Sequence, residues 1–350
     1  MKKNVLVIGT GTIGSPLIGF LADFRDQLNI DVYFHKRTPL RHEVARVNNF
    51  INRGAKLVTD IESIDKFKKL GHEVHASKID AIMNSDVVID CTPAGNKNKE
   101  LYLSKMFNPK TVFIAQGSEK GFGVPYAHGV NDSALKGDHK FIQIVSCNTH
   151  NIACILKTIP RNLSKVLDGD FVCIRRANDI SQETGFVPSP VISLHENNIF
   201  GTHHAKDAHD LFKTLDKDIE LFSSALKQNT QYMHTIRFKL SIDESNLTKN
   251  HIVNRIRENK FAALTQKQDS ARVFSFGRDH GYYGRILNQA VFIENSIVVN
   301  ETMHSTTVTG FCFTPQDGNS IISSLAATVY ALTGKIEQMN LFDKYLFNEI

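Results

Sequence analysis

The chain opens on Val5-Leu6-Val7-Ile8, a short continuous apolar run ended by Gly9. Such a run is the mark of a strand buried on both faces. After a glycine-bearing turn, Ile13, Leu17, Phe20, Leu21 and Phe24 recur at helical spacing. Asp31 to Lys36 reads as a second strand, and residues 41–53 and 61–70 read as helices. The second of these helices is amphipathic through Ile61, Ile64, Phe67 and Leu70. Asp86 to Asp90 is another apolar strand, closed by Thr92-Pro93-Ala94-Gly95, and Thr111 to Ala115 and Phe141 to Val145 are two more. Strands separated by helices predict an α/β fold, a doubly wound parallel sheet with right-handed crossovers.

The pattern changes after residue 145. A helix is predicted over 149–159, ended by Pro160. Strand-like runs follow at Phe171–Ala177, Tyr232–Ile242, Arg272–Phe276, Ala290–Val299 and Thr307–Phe313, with helices over 205–214 and 246–259. This is an α+β pattern with a largely antiparallel sheet. Ile321, Leu325, Ala326, Val329 and Leu332, then Leu341 to Leu346, read as helical again. The expected domains are 1–145 and 146–317, with helices of about 318–350 packing back onto the first.

Length and composition fit this picture. The 350 residues suit two domains, and 41% apolar with 22% charged residues is ordinary for a soluble globular chain. No tract is collagen-like or low in complexity, and no apolar window reaches the 18 residues of a membrane span. The five cysteines, Cys91, Cys147, Cys154, Cys173 and Cys312, are odd in number and form no CxxC pair. That argues against a disulfide framework and for a reducing, cytoplasmic setting. The net charge of +5 suits a phosphorylated small molecule as well as nucleic acid. Lys66-Phe67-Lys68-Lys69 is the best nucleic-acid candidate, but its spacing also fits a solvated helix face, so nucleic acid is not expected as the primary partner.

Gly9-Thr10-Gly11-Thr12-Ile13-Gly14 is a G-x-G-x-x-G loop between an apolar strand and an amphipathic helix, the context a dinucleotide site requires. Gly9 permits the tight turn, Gly11 lets a pyrophosphate approach the backbone, and Gly14 lets helix and strand pack closely. The helix N-terminus supplies N–H groups and partial positive charge. Sites that prefer NAD place an acidic residue at the end of the second strand. This chain has His35-Lys36-Arg37-Thr38 there, two cations and a hydroxyl, which points to the 2′-phosphate of NADP.

Ser146-Cys147-Asn148-Thr149 lies where a strand gives way to a helix. A helix N-terminus lowers a thiol pKa, and a thiolate beside a nicotinamide suggests oxidation of an aldehyde through a hemithioacetal and a thioester. The other four cysteines read as small buried hydrophobes. His203-His204 with Lys206 could bind phosphate; with His209 they could form a metal site, but no Cys or carboxylate spacing completes a zinc set, so no metal is expected. Adjacent histidines should point in different directions. On strand alternation Arg175 and Arg176 face opposite sides, so at most one should reach a cofactor cleft.

Seven motifs in order are similar to those of archaeal-type (type II) phosphorylating glyceraldehyde-3-phosphate dehydrogenase. They are GTIG at 11–14, D-x-x-x-D-x-T-P-x-G at 86–95, QGSEK at 116–120, SCNT at 146–149, IRRAND at 174–179, HHAKD at 203–207 and MHTI at 233–236. The resemblance implies a Rossmann domain, a catalytic domain on an antiparallel sheet and a homotetramer. It implies Cys147 as nucleophile, His234 as base, and substrate contacts from Ser146, Asn148, Thr202, His203 and His204. It implies cofactor contacts from Thr12, Ile13, Gly117 and Arg175. The substrates would be glyceraldehyde 3-phosphate and inorganic phosphate, with NAD or NADP. A semialdehyde or acyl-phosphate reductase of the same architecture is the nearest alternative. The chain departs from the family in His150, where a second threonine is frequent, and in Met303-His304-Ser305-Thr306, where Ser305 replaces a glutamine.

Overall fold

The computed structural model describes residues 2–105, 108–117, 120–178, 185–303, 305–315 and 317–350. Ser118 and Glu119 of the QGSEK motif, Asp179 of IRRAND, and His304 lie outside the described residues. The chain divides into two units. The stretch ending at Tyr126, with Leu135–Ile144 and Ser323–Met339, forms the first; Ala127–Ala134, Val145–Ile322 and Asn340–Ile350 form the second.

The first unit is built on the strands β1 (Lys3–Ile8), β2 (Ile30–His35), β3 (Lys56–Thr59), β4 (Ala76–Ser77), β5 (Val87–Asp90), β6 (Val112–Gln116), β7 (Val124–Tyr126) and β8 (Phe141–Ile144). Among the described residues they form one sheet in the order β4-β3-β2-β1-β5-β6-β8-β7, with every neighbouring pair parallel. Val5, Leu6, Val7, Leu57, Val87, Val88 and Ile89 are fully buried, which is why these strands read as unbroken apolar runs. Connecting helices include α1 (Gly14–Asp23), α2 (Arg25–Leu28), α3 (Val44–Asn52), α4 (Ile64–Lys69), α5 (Lys78–Met83) and α6 (Gly95–Ser104). Strand order reverses between β1 and β5, so the carboxyl ends of these two strands flank the switch point where such sheets bind ligands. In α4, Phe67 is buried while Lys66, Lys68 and Lys69 are exposed. The basic stretch is thus a helix face with its aromatic ring in the core, not a stacking platform.

The second unit holds α7 (Cys147–Thr158), α8 (His203–Lys213), α9 (Lys249–Glu258), α10 (Ser270–His280) and the start of α11 (Gly318–Thr333). Its strands are β9 (Val166–Arg175), β10 (Val191–Ile192), β11 (Leu221–Lys227), β12 (His234–Ile242), β13 (Ala262–Thr265), β14 (Ala290–Ile293), β15 (Val298–Glu301) and β16 (Thr306–Thr314). They run β10-β11-β9-β12-β16-β14-β13, with β15 also on β16. The β9–β11 and β13–β14 pairs are parallel and the rest antiparallel. Burial alternates along β9 and β12, so one face of the sheet is covered. Ile152, Ile155 and Leu156 of α7 share a core cluster with Phe171, Ile236, Phe238, Leu211 and Phe212 on that face.

Three expectations are corrected. Arg272–Phe276 is not a strand but part of α10: Asp269 accepts a hydrogen bond from the Ala271 amide at 2.9 Å, and Val273 and Gly277 form its buried stripe. Ala290–Val299 is two strands, because a 3₁₀ turn at Glu294–Ser296 intervenes. The final residues divide: Asn340–Ile350 group with the second unit, where Leu264 and Ile350 exchange backbone hydrogen bonds with the chain end and strand. No helix among the described residues is long and apolar enough to cross a membrane.

Candidate active site

In the first unit the glycine loop fits a dinucleotide on steric grounds. Gly9 has φ of +99°, a conformation that favours glycine. A Cβ on Gly14 would lie 2.1 Å from the Gly9 carbonyl oxygen, so only glycine lets α1 begin this close to the strand. A Cβ on Gly11 would meet nothing within 4 Å, and Gly11 is exposed. The loop is therefore tight where it packs and open where a phosphate would approach. Thr12 and Ile13 lie half-buried at the start of α1.

The end of β2 departs from its sequence reading. Lys36 does not present a free ammonium: it is buried and ion-paired with Glu43, which arrives from the 3₁₀ turn Arg41–Glu43. Arg46 binds the same carboxylate at 2.8 Å and reaches the Thr10 carbonyl in the glycine loop at 3.4 Å. A carboxylate thus stands beside β2 after all, supplied seven residues past Lys36 rather than by the strand. Sequence reading missed Glu43 and Arg46 because neither belongs to the strand-end motif. Arg37 and Thr38 are exposed.

The loop after β5 is locked by Asp90. Its carboxylate accepts from the Thr92 amide at 2.9 Å, the Thr92 hydroxyl at 2.6 Å, the Asn98 amide at 2.7 Å and the Tyr102 hydroxyl. A Cβ on Gly9 would touch the Cys91 backbone at 3.3 Å, so this loop and the glycine loop are in contact. Gly117, at the end of β6, has φ of +73° and open space around its Cα. The Gln143 amide donates to its carbonyl at 3.3 Å.

In the second unit Ser146 caps α7, its hydroxyl accepting from the Thr149 amide at 3.4 Å. Cys147 is therefore the first residue of the helix, in the field of its N-terminus, and is half-buried. Its carbonyl accepts from the Asn319 side chain at 3.0 Å. The other thiols are of a different kind. Burial pushes Cys154 and Cys173 up to about 12 and raises Cys312 well above its ordinary value; Cys91 is raised by burial and by Asp90.

Asn148 brings the two predicted histidines together. Its Oδ1 lies 3.0 Å from Nδ1 of His234, and its Nδ2 lies 3.2 Å from Nε2 of His204. Nδ1 of His204 lies 3.1 Å from the Thr202 hydroxyl, which lies 2.7 Å from the Ser223 hydroxyl. Asn148, His204, Thr202, Ser223 and His234 are all buried. They come from α7, α8 and its preceding residue, β11 and β12. His203 stacks on His204 with ring centroids 4.0 Å apart and lies 3.1 Å from Glu196, so the adjacent rings share a direction that strand-like alternation would deny them. Lys206 pairs with Asp210, and His209 with Asp218 at 2.9 Å.

Burial, then the charges of Arg176 and Arg175, pull the His234 imidazole down to about 3. β9 ends at Arg175; Arg176, the next residue, is buried and donates to the Tyr232 carbonyl at 3.3 Å. Arg285 is a further cation missed by the sequence reading. Burial and the Arg176 charge lower its pKa, while Asp317, 3.7 Å away, raises it.

No family model matches the chain. A curated protein of Sulfolobus acidocaldarius named glyceraldehyde-3-phosphate dehydrogenase is 28% identical over 310 residues, 86% of this chain and 84% of that protein. Proteins of the same name from Sulfurisphaera tokodaii and Methanocaldococcus jannaschii are 27% and 25% identical, covering 85% and 86% of this chain and 84% and 86% of their own lengths. Over about 86% of its length the chain is similar to archaeal glyceraldehyde-3-phosphate dehydrogenases, the resemblance its ordered motifs carry.

Proposed function

We propose that the chain catalyses the reversible NAD(P)-dependent, phosphorylating oxidation of D-glyceraldehyde 3-phosphate to 1,3-bisphosphoglycerate. The observation that carries this reading is Cys147 at the start of α7, followed by Asn148 bound to a buried, neutral His234. The curated relatives of that name support the substrate.

The cofactor's part is to accept a hydride. Gly9, Gly11, Thr12, Ile13 and Gly14 would hold its pyrophosphate, with Gly117 and Arg175 as further contacts. The exposed Arg37 and Thr38 and the half-exposed Arg46 would meet a 2′-phosphate, and Lys36 acts through its hold on Glu43. In the chemistry of this chain, the Cys147 sulfur bonds to the aldehyde carbon as the C=O π bond opens onto oxygen, and the thiol proton passes by way of His234 to that oxygen. As the hemithioacetal carbon gives up its hydride, the O–H proton returns to His234 and on to solvent, the C=O bond re-forms, and a thioester stands on Cys147. Inorganic phosphate then attacks the thioester carbon, and the C–S bond breaks to return the thiolate. Arg176 and Arg175, whose charges act on His234, supply positive charge that favours a phosphate group there. Imidazolium is costly in a buried site, so His234 is charged only when the thiolate or a phosphate stands opposite.

A steady-state assay with glyceraldehyde 3-phosphate, phosphate and each nicotinamide tests this. Turnover should depend on both substrates. Oxidation of a carboxylate-bearing semialdehyde in preference to the phosphorylated aldehyde would replace this reading with the reductase alternative.

A further inference from the structure

The buried polar chain through Asn148 takes one direction once the Ser223 hydroxyl donates to the Thr202 carbonyl. Ser223 has a single O–H, and its oxygen lies 3.1 Å from the Thr202 carbonyl, an acceptor only. The Ser223 oxygen also accepts from the Ala205 amide at 3.0 Å. With its proton on the Thr202 carbonyl, Ser223 must accept across the 2.7 Å contact from the Thr202 hydroxyl. Thr202 has then used its own proton, so it must accept from His204 Nδ1. His204 in this tautomer has a bare Nε2, which accepts from the Asn148 amide Nδ2. Asn148 Oδ1 is then turned to His234, whose Nδ1 must carry the hydrogen. The other side agrees. The Thr314 hydroxyl donates to Asn148 Oδ1 at 3.5 Å, Asn151 Nδ2 donates to Thr314 at 2.8 Å, and the Cys312 thiol donates to Asn151 Oδ1 at 3.0 Å. Every group in the chain is then satisfied with one consistent polarity.

We propose that His204 is a positioning residue: through Asn148 it holds His234 as the Nδ1–H tautomer, leaving the Nε2 lone pair as the proton acceptor. This deepens the proposed function and rests on His234 acting as its base. It also changes the part expected of His204. A residue 3% exposed with both ring nitrogens engaged inside the protein is not a ligand for the substrate phosphate; the more exposed His203 beside it is the better placed of the two. The energetic logic is that a buried donor or acceptor left without its partner is penalised, so reversing the chain's polarity removes the Ser223 donation to the Thr202 carbonyl.

The test combines histidine-ring NMR with kinetics on the full chain. Two-bond proton–nitrogen spectra of ¹⁵N-histidine protein report which ring nitrogen carries hydrogen, and His234→Asn assigns the His234 signal. The wild type should show His234 as Nδ1–H. In His204→Leu the Nε2–H form should appear, kcat should fall by about tenfold or more, and the aldehyde KM should move by less than about twofold. His204→Gln places an amide oxygen near the lost Nε2 and should recover most of kcat. Thr202→Val, nearly isosteric, provides a second arm if His204→Leu does not fold, and should shift the same tautomer. A KM that rises at constant kcat, or a His234 signal unchanged in both variants, overturns the proposal. The spectra do not depend on which aldehyde is oxidised. Correct tautomers with no turnover of glyceraldehyde 3-phosphate would therefore discredit the substrate reading and leave the positioning role standing.

Discussion

The two units carry their chemistry in different materials. In the first, the candidate cofactor loop is backbone: three glycines, a helix start and a tight turn, set by where a Cβ fits and where it does not. In the second, the candidate catalytic group is a set of side chains from α7, α8, β11, β12 and β16, joined by buried hydrogen bonds spanning up to 166 positions in sequence. A backbone site is written locally and fails by steric clash. A side-chain network is written across the fold and fails by loss of polarity or charge state.

The largest expected effect breaks the second unit's chemistry alone. Cys147→Ser should abolish nearly all turnover, because a hydroxyl at neutral pH lacks thiolate reactivity, while Kd for NAD(P) is retained. Substantial residual activity would remove Cys147 from the mechanism. The matching test of the first unit is a pair of substitutions. Gly14→Ala sets a methyl against the Gly9 carbonyl, an overpacking of about 1–3 kcal/mol, and should weaken the cofactor about ten- to hundredfold. Gly11→Ala has open space and should leave the melting temperature unchanged; a loss of cofactor affinity there reports phosphate approach directly. Equal losses of stability in both variants would contradict the packing account.

Acid should weaken both units. In the second, burial pulls His150 and His234 to about 4 and about 3, below the ordinary 6.5; in the first, burial pulls His35 to about 4 and lowers His72. The folded state refuses protons that the unfolded chain takes up. Stability is therefore complete above about pH 6.5 and is lost as pH falls towards 4, by about 1.4 kcal/mol per group per pH unit. Urea midpoints at pH 7, 6 and 5 measure this, and His150→Asn should flatten the slope. A midpoint constant over that range would show that these imidazoles are not held neutral.

The smallest effect concerns cofactor choice. Glu43 occupies Lys36 and Arg46, the latter also reaching the Thr10 carbonyl of the glycine loop. Glu43→Gln should strengthen NADP⁺ by about tenfold, one charge-assisted contact, with little change for NAD⁺. Weaker binding of NAD⁺ in this variant would instead make Glu43 a ribose ligand.

What was legible in the sequence follows the same division. β1, the glycine loop, α1 and β5 were readable because parallel strands buried on both faces are unbroken apolar runs. Short or edge elements such as β4 and β7 carry too few residues for a period to show. Arg272–Phe276 alternates like a strand yet folds as helix, because the decisive signal is the Asp269 cap outside the run. In the site, motif residues such as Cys147 and His234 were named from sequence, but Glu43 and Arg285 were not. Their roles depend on ion pairs with Lys36 and Asp317 that no local pattern announces. The polarity running from Ser223 to His234 depends on contacts between residues far apart in the chain, which no spacing encodes.

The most direct measurement is a single turnover without phosphate. Glyceraldehyde 3-phosphate and excess NADP⁺ or NAD⁺ are mixed with the enzyme, reduced nicotinamide is followed by absorbance, and the quenched chain is weighed and mapped by mass spectrometry. The expected result is a burst of about one reduced cofactor per chain, a phosphoglyceroyl thioester on Cys147, and release of that adduct with continued turnover when phosphate is added. Sustained turnover without phosphate, or hydride transfer that leaves Cys147 unmodified, would contradict it.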